Sequence, residues 1–383
     1  MKGNWKSLGS RVVGLAIALV ALGGGCQKPA PPLTSQAQEA LPSDEQLRDR
    51  LDKALEFAFA NRHLNTKDQA AWQIVHGALV YGRDYKIYHE GTLVPALDYL
   101  LAGGVLRGWT MHKGDHGLEA VLEPGSKTGQ GHEDQWLGYL SQCGLAPDEK
   151  IVVAGQSYTI QDLITQAQWD IYDGMEATWT LMAFSKYLPT DVQWTAKDGT
   201  QWNLERIVRM ESTQNLDESA CGGTHRLYAL AVARNQYLAS GGKLSDEADN
   251  AWRMAQEKIL SAVTAAQQYQ QPDGSFSTNY FSRPATSAEI DTRISTTGHA
   301  FEFLLVALDD KQIVEPWVAR AAIHLLGCLE KTQKFDLECG ALYHAVHGLD
   351  LYRTRRFGAH QWPLPDEPSK PAASESASVQ AAP

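Results

Sequence analysis

Short apolar segments that open with glycine recur along this chain at nearly regular intervals. Successive glycines at these openings lie 43, 49, 75 and 42 residues apart, and the longest interval holds an insertion from Gln271 to Ser295. The segments are residues 131–136, 174–179, 221–226, 297–301 and 339–344, with a sixth candidate at residues 71–81. A helix that is apolar on most sides is buried. The spacing therefore predicts a repeat of about 45 residues, each repeat with one inner helix.

Helices of a second kind alternate with these, each with one apolar stripe and a charged opposite face. Their start signals are a capping box at Ser43 and Gln46, a similar pair at Thr159 and Asp162, then Ser245, and Pro316 in a first-turn position. Residues 93–106 and 204–210 supply the remaining outer helices.

Six inner–outer pairs predict an all-α fold, an α/α toroid of about six helical hairpins around a central funnel. An open solenoid is the alternative. We favour closure because inner helices this apolar do not suit a wet groove. Residues 151–158 are the one place where we expect a small β-hairpin.

One turn motif resembles a known family. Residues 270–276, Gln-Gln-Pro-Asp-Gly-Ser-Phe, resemble the Q-x-x-D-G-S-W motif of squalene cyclases and prenyltransferases, and residues 194–202 are a weaker echo. The resemblance implies a turn between toroid helices whose aromatic residue packs inward. The functional motifs of those enzymes are missing, since there is no D-x-D-D sequence and Asp336, Cys339 and His344 match a prenyltransferase zinc site only loosely.

The mature chain also resembles a group of uncharacterised bacterial lipoproteins labelled "ADP-ribosylation factor-directed GTPase activating protein". The resemblance rests on residues 174–179, 221–226 and 339–344. Activating domains of that kind are built on a zinc module with paired CxxC motifs, which this sequence lacks. The residues therefore do not support that activity.

Residues 1–25 have the pattern of a secretory signal peptide. Three basic residues precede the apolar run 12–22, which is shorter than the roughly 20 residues that a membrane-spanning helix needs. The glycines before Cys26 resemble a bacterial lipobox, although Leu22 lies four residues before that cysteine and the family prefers three. We expect lipid attachment at Cys26, an anchor in a membrane and a place in the cell envelope. An ordinary signal peptide is the alternative.

The rest of the chain divides into three parts. Residues 26–42 are rich in proline and predict a flexible tether, residues 43–362 form the folded domain, and residues 363–383 predict a disordered tail. The net charge of −11 disfavours a nucleic-acid partner, which would need a basic patch.

The cysteines of the folded domain are Cys143, Cys221, Cys328 and Cys339, and none of them forms a CxxC pair. A structural zinc site is therefore not predicted, and no other metal or cofactor is expected. Two disulfides and four buried free thiols remain equally open alternatives for an exported domain.

The repeat places polar residues near the first turns of successive inner helices, where they would form one layer around the funnel. The candidate site residues are His132, Glu133, Asp134, Glu176, His225, Arg226, His299, Tyr343, His344 and His347. Helix N-termini favour an anionic or hydroxyl-rich ligand, Arg226 could pair a carboxylate, and Trp136, Trp179, Phe301 and Tyr343 could offer flat faces to a sugar. The alternative for each residue is a hydrogen-bonded core group.

The glycine-rich segment 111–133 is a second candidate region. It precedes an inner helix and could act as a lid over the funnel. His112 and His116 could bind a metal ion, but a solvated polar loop is the favoured interpretation because no HExxH-type spacing is present.

Three functions compete. The first is an enzyme on a carbohydrate or uronic-acid polymer, with His225 or His299 as acid or base and Glu176 as its partner. The second is a binding or assembly lipoprotein whose funnel does no chemistry. The third, a terpenoid cyclase-like enzyme, is disfavoured by the missing acid motif.

Overall fold

The computed structural model describes residues 40–122, 131–360 and 362. The expected signal peptide, Cys26, most of the tether, the tail from residue 363 and part of the proposed lid lie outside the described residues. No helix within the described ranges is both long and apolar enough to cross a bilayer.

Six helices pack against one another in a closed order. They are α2 (Ala71–Tyr81), α4 (Gln135–Gln142), α6 (Thr178–Tyr187), α8 (Thr224–Ala239), α10 (Ile290–Ala307) and α13 (Cys339–Phe357). Each contacts the next, and α13 returns to contact α2. These are the predicted inner helices, and most of their residues are buried.

The start positions of the inner helices differ from the predictions. Helices α4 and α6 begin four residues after Gly131 and Gly174, whereas α10 begins at Ile290, inside the predicted insertion. His299 therefore lies in the third turn of α10 and not in its first. The glycine of this segment marks a close helix contact instead: a Cβ on Gly298 would lie 2.8 Å from the backbone nitrogen of Ala345 in α13.

The outer helices lie against this ring. They are α1 (Asp44–Asn61), α3 (Ala96–Leu101), α5 (Ile160–Asp170), α7 (Leu204–Thr213), α9 (Ala251–Tyr269) and α12 (Pro316–Lys331), with the short α11 (Asp310–Ile313) between α10 and α12. The capping box of α1 is confirmed, since Ser43 Oγ accepts from the Gln46 backbone nitrogen at 3.2 Å. The predicted start at Ser245 is wrong: the side chain of Asn250 caps α9.

Within the described residues, four two-stranded antiparallel hairpins accompany the helices, so the fold is predominantly helical with small sheets. They pair β1 (Lys86–His89) with β2 (Thr92–Pro95), β3 (Trp109–Lys113) with β4 (Leu118–Leu122), β5 (Lys150–Val153) with β6 (Gln156–Thr159), and β7 (Gln193–Thr195) with β8 (Gln201–Asn203). The third was predicted and is confirmed. Strands β2, β6 and β8 each run directly into an outer helix, so three repeats share the order inner helix, hairpin, outer helix.

The turn motif at residues 270–276 has the predicted form. Asp273 accepts from the backbone nitrogen of Ser275 at 3.0 Å, and Phe276 is 2% exposed. Gly274 has φ +88°, and its Cβ position lies only 2.3 Å from the carbonyl oxygen of Arg320, so the turn requires glycine here. The four cysteines of the described residues are free thiols.

Candidate functional site

Each of the six inner helices contributes one ring-bearing side chain to a common layer, which we call the axial layer. Its members are His76 from α2, Tyr139 from α4, Trp179 from α6, His225 from α8, His299 from α10 and His344 from α13. The ring centroids lie 4.8 Å apart for Trp179 and His225, 4.9 Å for His225 and His344, 4.9 Å for His344 and His76, 5.0 Å for His76 and Tyr139, and 4.9 Å for Tyr139 and Trp179. These contacts close a circuit, and His299 lies 3.9 Å from His344.

The backbone fixes the tautomers of two of these histidines. Nδ1 of His299 lies 2.7 Å from the carbonyl oxygen of Ser295, and Nδ1 of His76 lies 2.5 Å from that of Trp72. A carbonyl oxygen only accepts, so Nδ1 must carry the proton, and in the neutral ring Nε2 carries the lone pair. Both imidazoles therefore present an acceptor nitrogen on the side away from their own helix.

The carboxylate of Glu302 fixes the tautomer of His344. Its Nδ1 donates to Oε2 of Glu302 at 2.7 Å, and Nδ1 of His347 donates to the other oxygen of the same carboxylate. Burial lowers the pKa of His344 to about 3, so this ring is neutral. Burial raises the pKa of Glu302, but the two imidazole donors outweigh it and hold the pKa well below its usual value. Nε2 of His344 is buried without a hydrogen-bond partner among the described residues.

Cys221 lies in a left-handed turn at the start of α8. Its φ and ψ are 51° and 40°, and Gly222 and Gly223 follow with φ of 62° and 77°. A non-glycine residue in this region is strained and requires support from its surroundings. Gly222 is required because the ring of Tyr280 packs over the turn, 2.3 Å from the position that a Cβ would take.

The thiol of Cys221 lies beside two axial histidines. One ligand-type atom each from Cys221, His225 and His299 lie within 4.8 Å of one another. Burial raises the pKa of the Cys221 thiol, but hydrogen bonding and charge from His299 outweigh it, so the pKa is lower than usual. Burial likewise lowers the pKa of His299, but Cys221 outweighs it and raises that pKa above its usual value.

His132 and Glu176 form a solvent-accessible pair at the edge of the axial layer. His132 Nδ1 lies 2.6 Å from Glu176 Oε2, and the two side chains are 28% and 36% exposed. The hydrogen bond from His132 is the main cause of a lowered pKa at Glu176. The His132 ring lies 5.6 Å from that of Trp179. Both residues precede their helices, so Glu176 pairs with His132 and not with His225 or His299 as predicted.

Arg226 has no free guanidinium, because protein acceptors occupy it. Its Nε donates to Oε2 of the fully buried Glu211 at 2.8 Å, and its Nη1 donates to Ser219. Glu211 also accepts from the backbone of Ala177 and the hydroxyl of Thr178. This network joins α7, α8 and the start of α6, so the prediction of a free carboxylate clamp is not supported.

The predicted sugar platforms are covered by protein. Trp136, Trp179, Phe301 and Tyr343 are at most 4% exposed. The hydroxyl of Tyr343 lies 2.8 Å from that of Tyr85 and donates to the carbonyl of Arg62, which is a core role. Trp136 borders an apolar cavity of about 200 Å³ between Leu100 and Val153.

Glu133 and Asp134 belong to a different surface. They line an acidic cleft of about 270 Å³, together with Glu119, Asp170 and Lys197. Asp134 has φ +55°, and its carboxylate accepts from the hydroxyl of Thr180 at 2.5 Å. Burial is the main cause that raises the pKa of Asp134 to about 6.

The described part of the proposed lid is the β3–β4 hairpin. His112 Nε2 lies 3.3 Å from a carboxylate oxygen of Glu119 across the hairpin, and His116 packs on Trp169 with ring centroids 3.8 Å apart. The two histidines thus have separate partners, which favours the interpretation without metal. Residues 123–130 lie outside the described ranges.

The structure therefore brings together four of the ten predicted site residues, namely His225, His299, His344 and His347. The sequence interpretation missed His76, Cys221 and Glu302 as members of the same cluster. One signal was available for Glu302, because it follows His299 by three residues and so shares its helix face.

Comparison of the chain with protein-family models, with curated proteins and with solved structures finds no match.

Proposed function

We propose that the chain is a lipid-anchored enzyme of the cell envelope that hydrolyses a polar, hydroxyl-rich substrate, such as a carbohydrate, in the funnel of an α/α toroid. The closed order of the six inner helices supports the toroid, because each pairs with an outer helix over the ring. The signal pattern before Cys26 supports the anchor.

One observation carries the proposal: a histidine and a carboxylate lie within hydrogen-bond distance, open to solvent, beside a layer of inward-facing imidazoles. His132 and Glu176 are this pair. A ring that served only as a scaffold would gain stability from apolar residues at its axis, since unpaired buried polar groups cost free energy. An axis with four histidines is better explained by chemistry than by packing.

The pair has the geometry of a general base. Nδ1 of His132 donates to Glu176, so Nε2 is left to remove a proton from the attacking water molecule, and the imidazolium can then give that proton to the oxygen of the leaving alcohol. Glu176 would stabilise the imidazolium that forms and keep the ring in place, as the carboxylate of a catalytic triad does. The positive charge of this imidazolium develops at the edge of the buried axial layer, where the local dielectric constant is lower than in water.

The charge pattern favours a neutral substrate. Arg226 is paired with Glu211, and the charged residues that line the neighbouring cleft are four carboxylates and Lys197. The net charge of −11 would also repel a polyanion. A neutral polyol or oligosaccharide suits this surface better than a uronic-acid polymer.

A binding or assembly lipoprotein is the second candidate. The buried and mutually satisfied set of Glu302, His344 and His347 favours it, because such a network holds helices together without access to a substrate. The two functions differ in whether the wild type turns over a substrate at all, and the enzyme requires that His132 and Glu176 matter for it.

The test is turnover by the full chain in detergent against a panel of neutral envelope oligosaccharides, measured as new reducing ends. We expect His132→Gln and Glu176→Gln each to lower kcat by about 10²- to 10⁴-fold. His112→Gln is the matched control, because His112 also pairs with a carboxylate, but on the β3–β4 hairpin. Binding without cleavage by the wild type would favour the scaffold, whereas full activity in both site variants would exclude His132 and Glu176 as the catalytic pair.

A further inference from the structure

We infer that Cys221, His225 and His299 bind a Zn²⁺ ion at the axis of the ring. The thiol comes from the turn that starts α8, His225 follows it by four residues on the first turn of that helix, and His299 reaches in from α10. The site joins two neighbouring inner helices at the layer where all six meet.

The spacing of the three ligand atoms suits zinc. They lie within 4.8 Å of one another. Zinc bonds of about 2.3 Å to sulfur and 2.0–2.1 Å to nitrogen place tetrahedral ligand atoms roughly 3.5 Å apart. The gap between at most 4.8 Å and about 3.5 Å is at most about 1.3 Å per pair of ligand atoms, which is within the range of side-chain rotation.

The orientation of the imidazoles points to a metal ligand set. Nδ1 of His299 donates to the Ser295 carbonyl, which leaves Nε2 as a lone pair toward Cys221. Histidines that bind metals characteristically donate their other nitrogen to a carbonyl or carboxylate in this way. Neither ring nitrogen of His225 has a hydrogen bond within the described residues.

A second, independent observation is the unpaired nitrogen of His344. This residue is 1% exposed, and its Nε2 has no partner among the described residues. Its ring centroid lies 3.9 Å from that of His299 and 4.9 Å from that of His225. A buried acceptor without a donor costs free energy. A metal ion or a water molecule that bound to this nitrogen would supply the missing partner.

The donor types select the ion. One thiolate and two neutral imidazoles are ligands for a borderline-soft cation, whereas Mg²⁺ and Ca²⁺ require oxygen ligands. Three protein ligands leave a fourth position open, which is typical of catalytic zinc sites. The use of a zinc-bound water as the nucleophile rests on the proposed function, whereas binding of the ion does not.

The competing role for Cys221 is a free nucleophilic thiol activated by His299. The two roles exclude each other in one protein molecule, because a thiolate bound to zinc is protected from alkylation. Zinc should therefore slow the reaction of Cys221 with iodoacetamide.

The test uses the full chain in detergent, stripped of metal with a chelator and titrated with Co²⁺ as a spectroscopic substitute for Zn²⁺. We expect one Co²⁺ per chain, a near-ultraviolet thiolate-to-cobalt band, d–d bands of a four-coordinate ion, and loss of all three when Zn²⁺ is added. Cys221→Ser should remove the thiolate band, and His225→Ala and His299→Ala should each weaken binding by about 100-fold or more.

The matched control is Cys328→Ser. Cys328 is also buried beside a histidine, with its Sγ 3.4 Å from Nε2 of His324, but within the described residues this pair belongs to no group of three ligand-type side chains. This variant should bind Co²⁺ as the wild type does. Circular dichroism of each metal-free variant separates loss of a ligand from loss of the fold, and native mass spectrometry of the wild type measures the bound zinc without any variant.

Wild-type protein that binds no Co²⁺ and carries no zinc would overturn the inference, as would a Cys221→Ser variant with an unchanged spectrum. Alkylation of Cys221 at the same rate with and without zinc would point to the free thiol instead. Zinc binding without turnover leaves the metal site intact and removes the proposed hydrolase. Turnover by the metal-free protein would leave the proposed hydrolase intact and would exclude a catalytic use of the ion.

Discussion

Glu302 on α10 accepts a hydrogen bond from Nδ1 of His344 at 2.7 Å, and the same carboxylate accepts from His347 one turn further along α13. A single buried acceptor thus fixes two imidazoles of the neighbouring helix. The pair joins two helices that also approach each other closely at Gly298 and Ala345. The contact between α10 and α13 is therefore both polar and tightly packed.

Replacement of this acceptor should destabilise the fold. In Glu302→Gln an amide NH₂ would face one of the two imidazole N–H groups, so a buried donor would lose its partner. We expect a loss of about 2–4 kcal/mol in the free energy of unfolding, measured with urea. The control is Glu330→Gln, whose partner Arg50 is 35% exposed, and it should cost less than about 1 kcal/mol. Equal effects in the two variants would contradict the structural role of Glu302.

Two glycines in helices should respond oppositely to alanine. In Gly298→Ala the new methyl would lie 2.8 Å from the Ala345 nitrogen, and the two helices would have to separate. In Gly327→Ala, on α12, the methyl meets nothing within 4 Å. We expect a loss of about 2 kcal/mol in the first variant from overpacking and a gain of up to about 1 kcal/mol in the second from helix propensity. Thermal unfolding of both variants measures the difference, and a stabilised Gly298→Ala would show that the helices approach less closely.

The repeat and the inner helices could be predicted because a helix that is buried on all sides has apolar residues on all sides. The boundaries of these helices could not be predicted, since glycine recurs both where helices touch and where helices begin. Gly298 lies eight residues inside α10 for this reason. Three of the four hairpins were missed because strands of three to five residues, such as β7 and β8, are too short for an alternating pattern to register.

The candidate site was predictable only in part. Equivalent repeat positions brought His225, His299 and His344 into one layer, because a repeat carries its geometry from one copy to the next. The partners of these histidines come from other positions of the repeat. Glu302 reaches His344 across 42 residues, and Cys221 meets His299 across the gap between two helices. Such contacts depend on how helices rotate and slide, which a single sequence does not reveal.

The anchor is testable without reference to the fold. Cys26 lies outside the described residues, and the prediction rests on the signal pattern before it. We expect the wild type to incorporate palmitate and to partition into the detergent phase, because two or more acyl chains anchor a protein stably. Cys26→Ser should lose the label and move to the aqueous phase, whereas Cys143→Ser should behave as the wild type does. Detergent partitioning of Cys26→Ser would mean that another segment holds the chain to the membrane.

Asp134 should make the stability of the protein depend on pH. Its pKa in the folded state is about 6, mainly because of burial, whereas the usual value is 3.8. A carboxyl whose pKa is raised by folding prefers its protonated form in the folded state. Its contribution to stability is therefore complete below pH 3.8 and is lost as the pH rises through about 6.

The matching variant is Asp134→Asn, which keeps the acceptor for Thr180, tolerates the left-handed backbone and cannot ionise. Each pKa unit corresponds to about 1.4 kcal/mol, so the advantage of the variant should reach about 1–3 kcal/mol. Urea unfolding between pH 4 and 8 should show this advantage growing up to about pH 6 and constant above about pH 7. A flat profile for Asp134→Asn over the same pH range would mean that water reaches its carboxyl freely.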